Sequence, residues 1–322
     1  MATHGGRTLL TGWFSFVEGE TTAGDVLALR RVQQVLGRVG VPYDVAWSPR
    51  FRPGGLALAD ARPSDYARLI FVCGPLHGPQ VARLHRRYAQ CHRVAVGTSV
   101  IDPEDPAVTG FHRVLARDGG DVPPSPDLAA RAPHAAEVPV AGVLLTHGQH
   151  EYGERRLHGT VAQCVTGWLA GTDCARVAVE SRLDTRDGLL CATDGQFLSL
   201  LPRLDVLVTD RLHGLVLGLR ARVPVLAVDP VRGGAKVTAQ ARVCRWPAVI
   251  AAERLEPERL DAWWSWCLTD GREAARRRSR AMRAAEDTAD RLAGVLADRI
   301  QGDAGVSAGD TEADLWPRPH EQ

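Results

Sequence analysis

Residues 205–236 read DVLVTDRLHGLVLGLRARVPVLAVDPVRGGAK, and this run decides the fold class. Val206 to Val208 and Val225 to Val228 are short continuous apolar runs, the pattern of strands covered on both faces of a parallel sheet. Between them Leu212, Leu215, Val216 and Leu219 recur at helical spacing. Strand, turn, helix and strand make a βαβ unit, and open α/β sheets bind ligands in the crevice at the carboxyl ends of such strands. Thr209, Asp210, Arg211 and His213 fall in that turn.

An Arg, a His and a Gly at the mouth of a helix suit an anionic ligand, because free backbone N–H groups and the positive end of the helix dipole add to the guanidinium. The second strand is followed by Asp229, Gly233, Gly234 and Lys236, opening a helix expected over Ala235 to Val243 and offering a second cradle. It is not a Walker A loop, since Ala235 precedes the lysine and Val237 follows it. Lys236 is the only lysine in the chain, and Asn is absent. Such a bias, typical of G+C-rich coding, would turn a dispensable Lys into Arg, so a retained ammonium points to a need for a compact charge.

At these residues the sequence resembles the polysaccharide pyruvyl transferase family. The family's signature is a strand followed by Thr/Ser-x-Arg-x-His-Gly, a helix, Pro-Val and a later Lys. Here it reads Thr209, Arg211, His213, Gly214, Pro224, Val225 and Lys236. The resemblance implies two Rossmann-like α/β domains facing a cleft, glycosyltransferase-B-like, with a long C-terminal helix. It also implies transfer of a pyruvyl group from phosphoenolpyruvate to sugar hydroxyls as a ketal. Arg211 then offers a bidentate fork for an oxyanion, Lys236 a point charge, and His213 a candidate acid or base. Thr209, Gly214, Gly233 and Gly234 complete the expected donor site. Phosphoenolpyruvate is a co-substrate, and no cofactor or metal is called for, because the cationic residues neutralise the donor's charge.

The length of 322 residues favours two domains. A formal charge of +1 argues against a nucleic-acid binder working through a broad basic face. Seven cysteines without a C-x-x-C pair suggest reduced thiols, and no run approaches a membrane span or a signal-peptide core. A cytoplasmic protein is expected, acting on a carbohydrate acceptor, with homo-oligomerisation left open.

In the first half, strands are expected at Thr8–Gly12, Tyr43–Trp47, Leu69–Cys73 and Val94–Gly97, with helices carrying Val26 to Val39 and Val81 to Tyr88 between them. Gly24 and Asp25 open the first of these helices. Asp25 is read both as a helix-start residue and as a weak catalytic candidate orienting the acceptor. The resembling family carries Gly-x-Asn-x-Gly-Asp here, and this chain lacks the Asn. Gly74 to Gly78 stands where the family has a glycine cluster, with His77 as a loop residue. Phe111 to Arg117 reads as a helix, and Arg117-Asp118 resembles the Arg-Asp/Glu turn before the family's interdomain segment. Asp118 to Pro139, rich in Pro, Gly and Ala, reads as a linker.

The second half begins with a strand at Val140–Thr146. In the loop after it, Gln149, Glu151 and Tyr152 suit a hydroxyl-rich ligand, while His147 and His150 lack the third ligand of a metal motif. The three tryptophans Trp263, Trp264 and Trp266 read as interdomain packing, and Ala274 to Ile300 as one long amphipathic helix bracing the first half. The expected organisation is residues 1–117, an acceptor-side domain; 118–139, a linker; 140–270, a donor-side domain; 271–301, a bracing helix; and 302–322, a disordered tail. Two rivals stand beside pyruvyl transfer: a nucleotide-sugar-dependent glycosyltransferase of the same fold, and a non-catalytic binding or scaffold relative.

Overall fold

A computed structural model describes residues 6–119, 123–146 and 151–303. The chain clusters into two compact units, Met1–Ala136 and Glu137–Gln322. Each is built on a five-stranded, all-parallel sheet, so the expected pair of Rossmann-like α/β halves is present.

The first unit runs β1 (Arg7–Thr11), α1 (Ala23–Arg38), β2 (Tyr43–Val45), β3 (Tyr66–Val72), α2 (Gly78–Arg87), β4 (His92–Ser99), α3 (Pro106–Thr109) and β5 (Arg113–Asp118). Its strand order is β2-β1-β3-β4-β5. Alternation along β1 sends Leu9 to one face, with Leu69 and Phe71, and Leu10 to the other, with Ala28, Leu29 and Val32 of α1.

The second unit runs β6 (Val140–Leu144), α4 (His158–Gly171), β7 (Ala175–Ala178), α5 (Asp194–Leu200), β8 (Val206–Thr209), α6 (Leu212–Arg220), β9 (Val225–Asp229), α7 (Lys236–Val243), β10 (Val249–Ala251), α8 (Pro257–Leu268), α9 (Asp270–Ala284) and α10 (Thr288–Asp303). Its order is β10-β9-β8-β6-β7. Numbered within each unit, both sheets follow 2-1-3-4-5, so the chain reverses direction across the sheet between β1 and β3 and again between β6 and β8. These are the two switch points at which crevices open beyond the strands' carboxyl ends. All five residues of β9 and all four of β8 are buried, which accounts for their unbroken apolar patterns.

Four expectations need correction. Phe111 to Arg117 does not form a helix: Arg113–Asp118 is β5, paired with β4, and its alternation of Arg113, Leu115 and Arg117 against Val114 and Ala116 has the strand period of two. Leu115 remains 58% exposed because β5 is an edge strand, which hid the pattern. Within the expected linker, Leu128–Arg131 forms a 3-10 turn, and Leu128 packs into the first unit's core and over Gly97. The tryptophans have packing partners inside the second unit: Trp264 is buried in its core and meets Trp168, while Trp266 meets both Trp246 and Trp263. The C-terminal helical segment is divided into α9 and α10. Ser279 and Met282 of α9 face the second unit, whereas Leu292 and Leu296 of α10 are about half exposed. The helix reaches Asp303, one residue past the start expected for the tail; residues 304–322 lie outside the described residues.

Candidate functional site

The motif at the end of β8 occupies the second unit's switch point. Thr209 is fully buried; its Oγ1 donates to Leu144 O (2.8 Å) and accepts from Arg211 N–H (3.0 Å). The hydroxyl therefore joins β8 to β6 and fixes the turn that presents Arg211. Gly214 is required one turn on, because a Cβ there would lie 2.3 Å from Thr209 Oγ1 and 2.9 Å from Leu144 Cδ2. With no side chain, α6 can settle against the sheet end.

Asp210 points into the same place. It is 2% exposed, and its Oδ1 accepts from Thr146 N–H (2.7 Å) and Thr146 Oγ1 (2.8 Å), which ties the ends of β6 and β8 together. Its Oδ2 is buried without a partner among the described residues. Burial raises the carboxyl's pKa above its ordinary value, outweighing the Thr146 bonds that favour the charged form. The folded state thus holds the proton more tightly than the unfolded chain. The resulting stabilisation is present in acid and is lost as pH rises from the ordinary carboxyl range through the raised value. Urea unfolding of the wild type and Asp210→Asn across that range should show the wild type losing ground to the variant as pH rises. A difference independent of pH would overturn this assignment.

Arg211 is three-quarters buried and pairs with Glu180 just beyond β7, Nη1 to Oε1, at 2.6 Å. His213, the second residue of α6, is exposed. Sequence reasoning missed Glu180, which lies 31 positions from its partner and carries no motif.

The expected backbone cradle after β9 is corrected by the hydrogen bonds. Asp229 is fully buried, and its carboxylate accepts from Val231 N–H (3.2 Å), Ala235 N–H (2.7 Å) and Thr238 N–H (2.8 Å). Gly233 N–H donates to Glu253 and Gly234 N–H to Val231 O. Ala235 at the N-cap has no side-chain acceptor, so Asp229 supplies one from the strand end. The glycines contribute left-handed backbone, φ +77° and +79°, that folds the loop around these carboxylates. Lys236 starts α7 with its ammonium 5.7 Å from the centroid of the Tyr152 ring. Residues 152 and 236 come together because Arg156 and Val231 pair as an isolated bridge and Leu157 N–H donates to Pro230 O. Glu151 is exposed. Buried His158, at the start of α4, has its pKa lowered by burial and then by Arg156 and Lys236. Gln149, His147 and His150 lie outside the described residues.

In the first unit a pocket of about 660 Å³ lies at the β1/β3 switch point and gathers Gly24, Asp25, His77 and Arg117, four residues singled out from sequence. Its wall also includes Gly74, which opens the expected glycine-cluster turn, and Trp13 and Cys73, which sequence reasoning passed over. Cys73 and Gly74 both take left-handed backbone, φ +62° and +74°, and a Cβ on Gly74 would strike Trp13 Cδ1 at 2.3 Å. This turn seats the Trp13 ring, whose Nε1 donates to Pro75 O (3.0 Å) and which lies 5.3 Å from the His77 ring.

Asp25 performs the helix-start role: Thr22 N–H and Oγ1 donate to its Oδ2 (2.9 and 2.7 Å), and its own N–H donates to Thr22 Oγ1 (3.2 Å). Arg117 is engaged by Asp118 (2.7 Å), Asp127 and Ser99, so in the described structure its guanidinium fastens β5, β4 and the Leu128–Arg131 turn. Burial, followed by the Asp127 carboxylate, pushes the Cys73 thiol up to about 11, leaving it un-ionised at neutral pH.

No family model and no curated protein matches the chain. Among solved structures it is similar to the glycotransferase of kitacinnamycin, at 13% identity over 90% of this chain and 98% of that one, with a TM-score of 0.34. It is also similar to the spinosyn rhamnosyltransferase SpnG complexed with thymidine diphosphate, at 11% identity over 86% and 96%, TM-score 0.32. The calicheamicin glycosyltransferase CalG4 gives 15% identity over 94% and 99%, TM-score 0.31. Identity this low assigns no residue a role.

Proposed function

We propose that the chain is a pyruvyl transferase-like enzyme that moves the pyruvyl group of phosphoenolpyruvate onto a sugar hydroxyl of a glycan or glycan precursor as a ketal. The observation that carries the reading is the Thr209-x-Arg211-x-His213-Gly214 turn at the β6/β8 switch point. Its buried Thr and Gly serve to present Arg211 and an exposed His213. Lys236, at the start of α7 in the loop-and-helix segment that follows β9, the strand next to β8, adds a compact cation at the same carboxyl edge.

The reaction adds a proton to the donor's methylene carbon, bonds sugar oxygens to the neighbouring carbon and expels phosphate. Arg211 and Lys236 hold the donor's carboxylate and phosphate, and His213 exchanges the proton. Thr209, Gly214, Gly233 and Gly234 act by shaping these turns. Glu151 and Tyr152, beside Lys236, serve the acceptor, as do Gly24 and Asp25 in the first unit; the capping bonds of Asp25 engage Oδ2 alone. Arg117 supports that pocket through Asp127.

A thermal-shift comparison of phosphoenolpyruvate with nucleotide sugars tests the reading. Phosphoenolpyruvate should raise the melting temperature by mass action, and Arg211→Ala should remove most of the rise. Stabilisation by nucleotide sugars alone would make the chain a nucleotide-sugar-dependent glycosyltransferase, and stabilisation by neither would favour a non-catalytic relative. Calorimetry on Lys236→Arg should show donor affinity about tenfold weaker, roughly 1.4 kcal/mol, with unchanged folding stability, because a planar guanidinium does not replace a compact ammonium. Unaltered affinity would remove Lys236 from the donor site.

A further inference from the structure

The first unit holds a second cavity of about 690 Å³, between α2 and the segment that follows β2, within the size range of small-molecule sites, roughly 300–1,000 Å³. Its wall is apolar, formed by Phe16, Val17, Leu58 and Leu84. Phe16 and Leu84 belong to the core, yet Val17 at the lip is 50% exposed, so the cavity is an open groove that leaves apolar surface to water. Of the charged residues lining it, three are arginines of α2 and one, Glu18, is acidic. Arg87 is committed to the protein: its Nη2 donates to Ala59 O (2.6 Å) and Ala61 O (3.1 Å), closing one side of the groove. Arg83 and Arg86 are exposed and make no hydrogen bond or ion pair among the described residues. Glu18 and Gln80 line both this groove and the β1/β3 pocket, so the two cavities adjoin.

We propose that this groove binds an apolar chain bearing an anionic head group, the chain lying between Phe16, Leu58 and Leu84 and the head group meeting Arg83 and Arg86. An apolar wall supplies area-proportional burial but no direction, whereas two unengaged guanidiniums at one lip select a carboxylate or phosphate and fix which way the chain enters. The assignment stands apart from the donor chemistry of the second unit, since every residue it uses belongs to the first.

The test is calorimetric titration of the full chain with dodecanoate, dodecyl phosphate and dodecanol, each below its micellar concentration. The two anionic amphiphiles should bind saturably at one site, and dodecanol at least tenfold more weakly. Arg83→Ala/Arg86→Ala, at exposed positions, should bring the anions down to the level of dodecanol. Ala57→Trp should fill the groove and abolish binding; should that variant fail to fold, the double Arg variant decides the matter alone. Preference for dodecyl phosphate by tenfold or more identifies a phosphate-headed lipid, and parity or the reverse identifies a free acid; either outcome supports the site. Absence of saturable binding, dodecanol binding as tight as dodecanoate, or full affinity in the double Arg variant would overturn it.

Discussion

Gly214→Ala is expected to destabilise the protein by roughly 3 kcal/mol, although alanine in a helix interior normally gains up to about 1 kcal/mol over glycine. The new Cβ would meet Thr209 Oγ1 at 2.3 Å and Leu144 Cδ2 at 2.9 Å, and both of these side chains are completely buried. Overpacking of this kind costs about 1–3 kcal/mol. Turning the Thr209 hydroxyl aside would also break its bonds to Leu144 O and Arg211 N–H, at about 1 kcal/mol each. Gly167 in α4 supplies the control, because a Cβ there meets nothing within 4 Å. Gly167→Ala should therefore stabilise while Gly214→Ala destabilises, a reversal that urea unfolding would resolve. Two changes of the same sign would refute the packing argument.

Asp229→Ala should cost about 4 kcal/mol. The carboxylate is buried and accepts three backbone N–H bonds, two of them from residues opening α7, and each bond to a charged acceptor is worth about 1.5–3 kcal/mol. Water entering the vacated space offsets part of the sum. Asp229→Asn, which keeps one acceptor oxygen, should lie between the two. Removal of the carboxylate also frees amides at the start of a helix, so inorganic phosphate should raise the melting temperature of Asp229→Ala more than that of the wild type. A loss below about 1 kcal/mol, on the scale of one neutral hydrogen bond, would show that the loop finds other acceptors.

The β8-α6-β9 unit was legible in the sequence because its signals are local: two unbroken apolar runs around one helical stripe. Gly214 was legible as a motif position, and its packing reason became visible only with Leu144 placed beside it. Strand β5 was misread because an edge strand leaves Leu115 in solvent, which blurs the division between inner and outer positions. The site divides in the same way. Arg211, His213 and Lys236 are marked by residue type and spacing, whereas Glu180 reaches Arg211 through the order of β7, β6 and β8 in the sheet. Tyr152 meets Lys236 only because two distant segments pair at Arg156 and Val231. The pairing of Thr22 with Asp25 was within reach of sequence, as a hydroxyl residue followed three positions later by an acid is a helix-start pattern.

The internal carboxylates of the second unit also bear on how fast a ligand arrives. Arg211 faces Glu180, and the loop amides before α7 face Asp229 and Glu253, so much of the positive potential built at this sheet edge is cancelled over short distances. Opposed charges a few ångströms apart project little field beyond a Debye length of about 8 Å at physiological ionic strength. If the proposed anionic donor binds here, it should reach the edge by ordinary diffusion, without long-range steering, and stopped-flow association rates should respond only weakly to added salt. Under the proposed function, discrimination is deferred to the moment of contact, when the anionic donor must compete with Glu180 for the Arg211 guanidinium.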